Sequence, residues 1–533
     1  MPMRGTVLGP AWEDVTSASC PRGRHNGRVT TRRTHWVLSG VLAGLAGLAT
    51  SYASAMVLTI RDSPVVAVAE QVIKLTPGFA AERAISVLGH WDKPVLVAGI
   101  LVLLLACFAG AGLLARGGWW RPLLVWFTLA GLGLASVLGQ RGAGMVDALP
   151  VVVGLLTWIT VHSALTDALN RGRRRPELES RERRVFLMVA VAVAVASAGI
   201  AVAGRFVGAG RRHVEVSRRL LRIPGVTRRE PPAATSLGLR GIAPWQTPNE
   251  EFYRIDTAIA LPTIEPEDWS LRIHGLVDRE LTISYADLVA RQMTESWITL
   301  SCVSNEVGGG LVGNARWSGV RIADLLADLG VSPEADCVLQ TSHDGWSCAT
   351  PLETLTDGRD AMLAVAMNGR PLEIEHGFPV RTIVPGLYGY VCATKWVVDY
   401  EVSTFADAVG YWTTRGWSAD GPVKIASRID VPRSGDDVDA GAVNFGGVAW
   451  HQHTGVAAVE VQVDGGAWEA AELGEAPSVD TWVQWAVTLE LPEGDHEVRV
   501  RAIGKGGETQ TSVERAPDPD GSTGLHTIEV SAR

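Results

Sequence analysis

Five long runs, 36–58, 94–115, 119–138, 146–165 and 185–203, carry almost no charge. A helix that crosses a bilayer needs about 20 consecutive apolar residues, and each run is of that length. Any one of them would suit a buried core helix. Five in succession, joined by short polar loops, predict a transmembrane unit instead.

After residue 245 the period shortens. Strand-like alternation over 269–273 and 280–283 is followed by short amphipathic helices over 284–290 and 321–329, and 338–341, 362–367 and 380–384 read as short buried strands. Mixed short elements without βαβ regularity predict an α+β domain. Beyond about residue 421 the pattern is all-β. Segments 443–450, 457–463, 482–489 and 497–502 are punctuated by Asp464-Gly465-Gly466 and Pro492-Glu493-Gly494, and Asp-Gly between alternating strands signals a hairpin. Regular short strands of this kind predict an immunoglobulin-like β-sandwich. The expected organisation is therefore a tail over 1–35, a five-helix transmembrane region over 36–204, a linker over 205–244 rich in Arg, Pro and Gly, an α+β domain over 245–420 and a sandwich over 421–533.

Charge divides the chain at the same place. Residues 1–240 carry 29 Lys and Arg against 13 Asp and Glu, a net of +16, whereas residues 241–533 carry 19 against 44, a net of −25. A basic front with apolar runs fits a membrane unit and an acidic back fits a soluble domain. An acidic surface also excludes nucleic acid as a partner, which needs a basic footprint. A cytoplasmic N-terminus places Arg22, Arg24, Arg28, Arg32 and Arg33 inside, together with the arginine run from Arg171 to Arg184. The nine arginines of the linker offset that bias. Arg183-Arg184-Val185-Phe186-Leu187 resembles a twin-arginine export signal, which would put the soluble half on the extracytoplasmic side of a multi-pass cell-membrane protein. Six cysteines, Cys20, Cys107, Cys302, Cys337, Cys348 and Cys392, show no C-x-x-C spacing for zinc or an iron–sulfur cluster, and a Cys337–Cys348 disulfide is left open.

Two stretches carry chemistry. WITLSCVSNEVGGGLVGNARWSGV holds Cys302, Asn305, Trp317 and Gly319, and EHGFPVRTIVPGLYGYVCATKWV holds His376, Arg381, Tyr388, Tyr390 and Lys395. A lone cysteine is usually a small buried hydrophobe. Here the C-x-x-N turn, the later Trp-x-Gly and the His-Gly-Phe-Pro-Val-Arg run, in this order, resemble the sulfite oxidase family of molybdopterin-dependent oxidoreductases. The resemblance covers residues 245–533 and none of the membrane unit.

The resemblance implies a molybdenum–molybdopterin cofactor with Cys302 as its metal ligand. Soft thiolate sulfur suits such a metal, and Arg suits a phosphate tail through its planar fork. Asn249, Phe252, Tyr253, Arg254, Asn305, His376, Arg381 and Lys395 are the implied cofactor contacts. The family's commoner order puts the arginine one place later, where this chain has Ile255. Gly308, Gly309 and Gly310 would let the backbone approach a ligand, though such a run also suits a flexible loop. Tyr388 or Tyr390 would donate a hydrogen bond near the reacting oxygen. The implied reaction is two-electron oxygen-atom transfer on a small-molecule substrate, and the sandwich would serve a homodimer. Sulfite oxidases follow the C-x-x-N turn with arginines that hold an anion, whereas this chain has Glu306 and Val307. A carboxylate there opposes sulfite, so an S-oxide or N-oxide fits better and sulfite stays open. Electrons would pass to or from a quinone or a cytochrome. Of His35, His90 and His162 only the last lies well inside an apolar run, which does not make a haem pair. A non-catalytic cofactor-binding or cell-envelope interaction module has no need of a metal thiolate, and a transporter would carry more intramembrane charge than Asp147.

Overall fold

The computed structural model describes residues 33–58, 63–77, 80, 91–140, 143–174, 179–207 and 210–533. Of the expected tail only Arg33, Thr34 and His35 fall within them, and Cys20 and His90 lie outside the described residues. All five apolar runs are helical: α1 (Arg33–Val57), then, past a short amphipathic α2 (Pro64–Leu75), α3 (Asp92–Leu114), α4 (Arg121–Leu138), α5 (Leu149–Arg174) and α6 (Glu179–Val207). These five are long and apolar enough to cross a membrane. Small residues set how closely they pack. Gly44 and Gly47 of α1 lie against the rings of Phe108 and Trp158, and Gly112 of α3 faces the Trp36 carbonyl, so a Cβ at any of the three would collide. Helix α2 is too short to stand out as an apolar run. It lies beside α4, where Gln140 Nε2 donates to Glu70 Oε2 at 3.2 Å.

Where the composition of 205–244 suits a loose tether, residues Gly210–Leu220 form a further helix, α7. Val214 on it is buried with Phe252, Trp317 and Phe378 of the soluble half. The rest of the segment lies along the same body: the Leu237 N–H donates to Gln484 Oε1 at 3.0 Å and the Ala243 N–H to Asp430 Oδ2 at 2.9 Å.

The first part of the soluble half is two sheets, one mixed and one antiparallel. One has the order Leu281–Ser284, Ser270–Gly275, Val397–Ser403, Cys337–Ser342, Ser347–Pro351, with the second and third strands parallel. The other runs Thr294–Ser301, Val312–Arg321, Met362–Met367, Arg370–Pro371, and Arg381–Ile383 also pairs with Met362–Met367. The expected strands are present within a residue or two, and so are the short helices Tyr285–Val289 and Ile322–Ala327. The pair Thr294–Ser301 and Val312–Arg321 is not foreshadowed by alternation. Its strands are buried on both faces or nearly so, and a strand with two buried faces has no polar phase.

Beyond residue 425 two more sheets, of four and five strands, share a core that includes Phe445, Trp485, Val459, Val500 and Ile528. The two parts of the soluble half are joined by paired indoles: Trp245 Nε1 donates to the Trp482 carbonyl at 3.1 Å, and Trp482 Nε1 to the Trp245 carbonyl at 2.8 Å. Cys337, Cys348 and Cys392 are buried free thiols, so the Cys337–Cys348 pairing left open above is not formed. The ladder places Cys337 opposite Pro351 and Cys348 opposite Gln340, well out of register with each other.

Candidate active site

The turn between Thr294–Ser301 and Val312–Arg321 presents Cys302. The strands pair up to Ser301 opposite Val312, and Cys302 N–H donates to the Leu311 carbonyl at 2.9 Å. Asn305 then braces the loop from inside. Its N–H donates to the Cys302 carbonyl at 3.1 Å, and its Oδ1 accepts the Leu311 N–H at 2.7 Å. A short polar side chain that bonds nearby backbone is the natural device for such a turn. The glycine run has a structural use. Gly308 has φ +75° and any Cβ on it would strike the His526 imidazole, while a Cβ on Gly309 would come within 2.7 Å of Asn305 Oδ1. Only Gly310 has open space around it.

Burial pushes the Cys302 thiol up, opposed by the backbone N–H and hydroxyl of Ser304. Tyr253 and Tyr388 both lie within electrostatic reach of this sulfur. Tyr388 lines a cleft with Ser301, Asn305, Glu306 and Val307, and its hydroxyl accepts the Lys424 N–H at 3.3 Å. Burial pushes that phenol up to about 12, so it keeps its proton and remains a donor. The Tyr390 hydroxyl instead donates to the carbonyls of Ser418 and Asp420, at 2.9 and 3.0 Å. The opposite wall comes from the C-terminal unit, from the strand Ala426–Val431 and two loops, and escapes any reading of the two motifs: Ser427, Gln510, Ser522, Thr523 and Gly524 line the same cleft. Ser522 Oγ donates to the Asn305 carbonyl at 2.6 Å, and a Cβ on Gly521 would come within 2.6 Å of the Tyr388 hydroxyl.

The remaining expected contacts converge on a second corner. His376 Nε2 donates to the Asn249 carbonyl at 3.1 Å, its ring meets Phe252 edge-on at 5.7 Å, and Phe252 stacks on Tyr253 at 5.2 Å. Arg381 Nη1 donates to the His376 carbonyl at 3.2 Å, with the guanidinium 5.2 Å from the Trp317 ring centre. Arg254 and Lys395 both reach Asp256 Oδ2, at 3.1 and 3.4 Å. Burial, aided by the Arg381 charge, holds His376 down to about 4, so it is neutral. Burial also lowers Lys395 to about 8, with Arg381 and Arg254 adding to the effect against Asp256. The corner is thus crowded with positive charge.

That corner fits an anionic pterin. Three buried polar atoms in it, Asn249 Nδ2, Arg381 Nε and His376 Nδ1, have no hydrogen-bond partner among the described residues. With Nε2 already donating, neutral His376 offers a lone pair at Nδ1, so the set comprises two donors and one acceptor. Buried polar atoms are rarely left unmet, and a phosphate beside a ring N–H would satisfy all three. Among the described residues no group of three or more His, Cys, Asp or Glu side chains is placed to hold a metal ion.

Comparison with known proteins agrees. Residues 258–412 match the family described as "Oxidoreductase molybdopterin binding domain". The uncharacterized oxidoreductase YuiH of Bacillus subtilis is 35% identical over 153 residues, 29% of this chain and 74% of that protein. The mitochondrial sulfite oxidases of Drosophila melanogaster and Homo sapiens are 30% and 28% identical over 48% of this chain, covering 54% and 55% of theirs. The chain thus spans about half the length of these curated relatives. The crystal structure of the sulfane dehydrogenase SoxCD from Paracoccus pantotrophus aligns at 22% identity with a TM-score of 0.48, covering 60% of this chain and 90% of that one, a likeness too distant to argue from. With the Cys302 turn, the basic corner and these matches together, the chain belongs to the sulfite oxidase family of molybdopterin-dependent oxidoreductases.

Proposed function

We propose that this chain is a membrane-anchored enzyme that transfers an oxygen atom to or from a neutral S-oxide or N-oxide at a molybdenum ligated by Cys302. The observation that carries the reading is the pairing of one buried thiol, at the end of a braced turn, with a basic corner whose unmet donors and acceptor suit a pterin phosphate. When bound, the cofactor supplies two-electron oxygen-atom transfer. Cys302 Sγ would be the protein's ligand. The surroundings raise this thiol, so its ionised form would be secured by the metal's own charge. Tyr388, protonated at neutral pH, would donate to the substrate oxygen, and Tyr390, committed to the Ser418–Asp420 carbonyls, would hold its loop. Asn249, Phe252, Tyr253, Arg254, His376, Arg381 and Lys395 would grip the pterin and its tail, and Asn305 would keep the Cys302 turn in shape.

Substrate charge follows from the mouth. Glu306 is exposed at the cleft, Val307 is apolar, and the cations flanking the wall segment 425–427 are engaged: Lys424 with Asp520 at 2.8 Å and Arg428 with Asp430 at 2.6 Å. A doubly charged anion meets repulsion there, and a neutral oxide does not. The two C-terminal sheets on one core support an immunoglobulin-like unit suited to dimerisation. An odd number of spans would put the N-terminus and the soluble half on opposite faces of the membrane, with Arg183-Arg184 serving a folded export route. Phe186, which makes that motif recognisable, also packs 5.7 Å from His35 inside the bundle. A quinone or a cytochrome would exchange the electrons.

Metal and pterin analysis of purified protein, with a screen of sulfite, sulfoxides and N-oxides against an artificial electron dye, tests the reading. Cys302→Ser is expected to lose dye-linked turnover by orders of magnitude, and full activity in that variant would refute the ligand assignment.

A further inference from the structure

Asp256 divides its two carboxylate oxygens between different parts of the molecule. Oδ2 receives Lys395 and Arg254, the basic groups of the cofactor-tail corner. Oδ1 receives Lys93 at 2.9 Å, and Lys93 belongs to the first turn of α3, an apolar helix of the membrane unit. The same ammonium donates to the carbonyls of Asp256 at 2.7 Å and Ala258 at 2.9 Å, so it holds the backbone of this segment as well as its carboxylate. Asp256 and Lys395 are almost wholly buried, and Lys93 is about two-thirds so. Burial tends to raise the Asp256 carboxyl, but Lys395 and Lys93 together hold it down to about 2, so it stays charged.

We propose that Lys93 is a positioning residue for the cofactor: by occupying Asp256 Oδ1, the membrane helix limits Asp256 to a single-oxygen contact with Lys395 and keeps that ammonium available to the tail phosphate. Without Lys93, both carboxylate oxygens would be open to Lys395 and Arg254. A two-oxygen grip is the stronger geometry, and it would draw these cations away from the phosphate. Lys93 need not touch the cofactor, since it acts through Asp256. The proposal rests on the molybdopterin reading of the corner and adds to it a part for the membrane unit beyond anchoring.

A separate contact between the two halves provides the control. Arg415, stacked over Tyr411 at 3.7 Å, donates through Nη2 to the Lys74 carbonyl of α2 at 3.0 Å, away from the tail corner. Full-length wild type, Lys93→Met, Lys93→Arg, Asp256→Asn and Arg415→Ala would be purified in detergent, and bound molybdenum and oxidised-pterin fluorescence per protein followed over time at low and high salt. Lys93→Met is expected to release pterin on the order of tenfold faster than wild type, whereas Asp256→Asn, which removes the competing carboxylate, should hold it at least as long as wild type. Lys93→Arg should restore part of the retention and Arg415→Ala should behave as wild type. Retention in Lys93→Met equal to wild type would overturn the proposal, as would an equal loss in Arg415→Ala, which would mean that docking alone matters. Should Lys93→Met fail to fold, Lys93→Gln makes the same prediction, and pterin release from Asp256→Asn faster than from wild type would overturn the proposal. Wild type that never contains pterin would instead overturn the functional reading on which this one rests.

Discussion

His376 is buried with one nitrogen bonded to the Asn249 carbonyl, beside the Arg381 guanidinium, and its folded pKa of about 4 lies well below that of an exposed imidazole. The unfolded chain therefore binds a proton in a range where the folded one does not. Stability from this group is present above about pH 6.5 and is lost as pH falls through 4, by up to about 3 kcal/mol. Thermal unfolding of cofactor-free protein should fall steeply over that window and do so less in His376→Asn; an unchanged slope would exclude His376 as the cause. Tyr388 and Tyr390 make a similar point about local contact. Two residues apart in sequence, they were equal candidates, and only the fold puts Tyr388 in the cleft beside the Cys302 turn, its hydroxyl on the Lys424 N–H, and commits the Tyr390 hydroxyl to the Ser418 and Asp420 carbonyls.

Helix α7 joins the last apolar helix to the soluble half, and the only buried side chain described on it is Val214, held among Phe252, Trp317 and Phe378. A charge at that position cannot be hydrated without lifting the helix. Val214→Asp should expose the Arg218–Arg219 bond to trypsin and speed cleavage several-fold, while Val216→Asp, at an exposed position of the same helix, should not; equal cleavage rates in the two variants would sink this. Composition made the segment look like a tether, because its arginines leave the eleven residues polar on average even though they are amphipathic as a helix. The strands on either side of Cys302 were hidden for the opposite reason, since burial on both faces erases alternation.

In the whole molecule, membrane unit and soluble half meet through Lys93 at Asp256 and through Arg415 at the Lys74 carbonyl. Both contacts involve the stretch between α1 and the start of α3, which in the proposed topology shares one face of the membrane with the soluble half. Protease added to sealed, right-side-out cells should degrade the soluble half and spare an N-terminal tag; the reverse pattern would invert the proposed topology. The cleft beside the Cys302 turn is likewise a joint product, with Asn305 and Tyr388 on one wall and Ser522 and Thr523, from a loop of the C-terminal unit, on the other.

Apolar run length, the charge division near residue 240 and the spacing of Cys302, Asn305, His376 and Arg381 were legible in the chain alone, because each is a local property: a helix must match a bilayer, and a ligand set must carry the right atoms. Which atoms meet was decided only by tertiary packing. The bond from Ser522 to the Asn305 carbonyl and that from Lys93 to Asp256 join residues 217 and 163 positions apart, and no local preference encodes such a contact. Nor could spacing show that Gly308 is needed to clear His526, since the imidazole arrives from a strand near the far end of the chain.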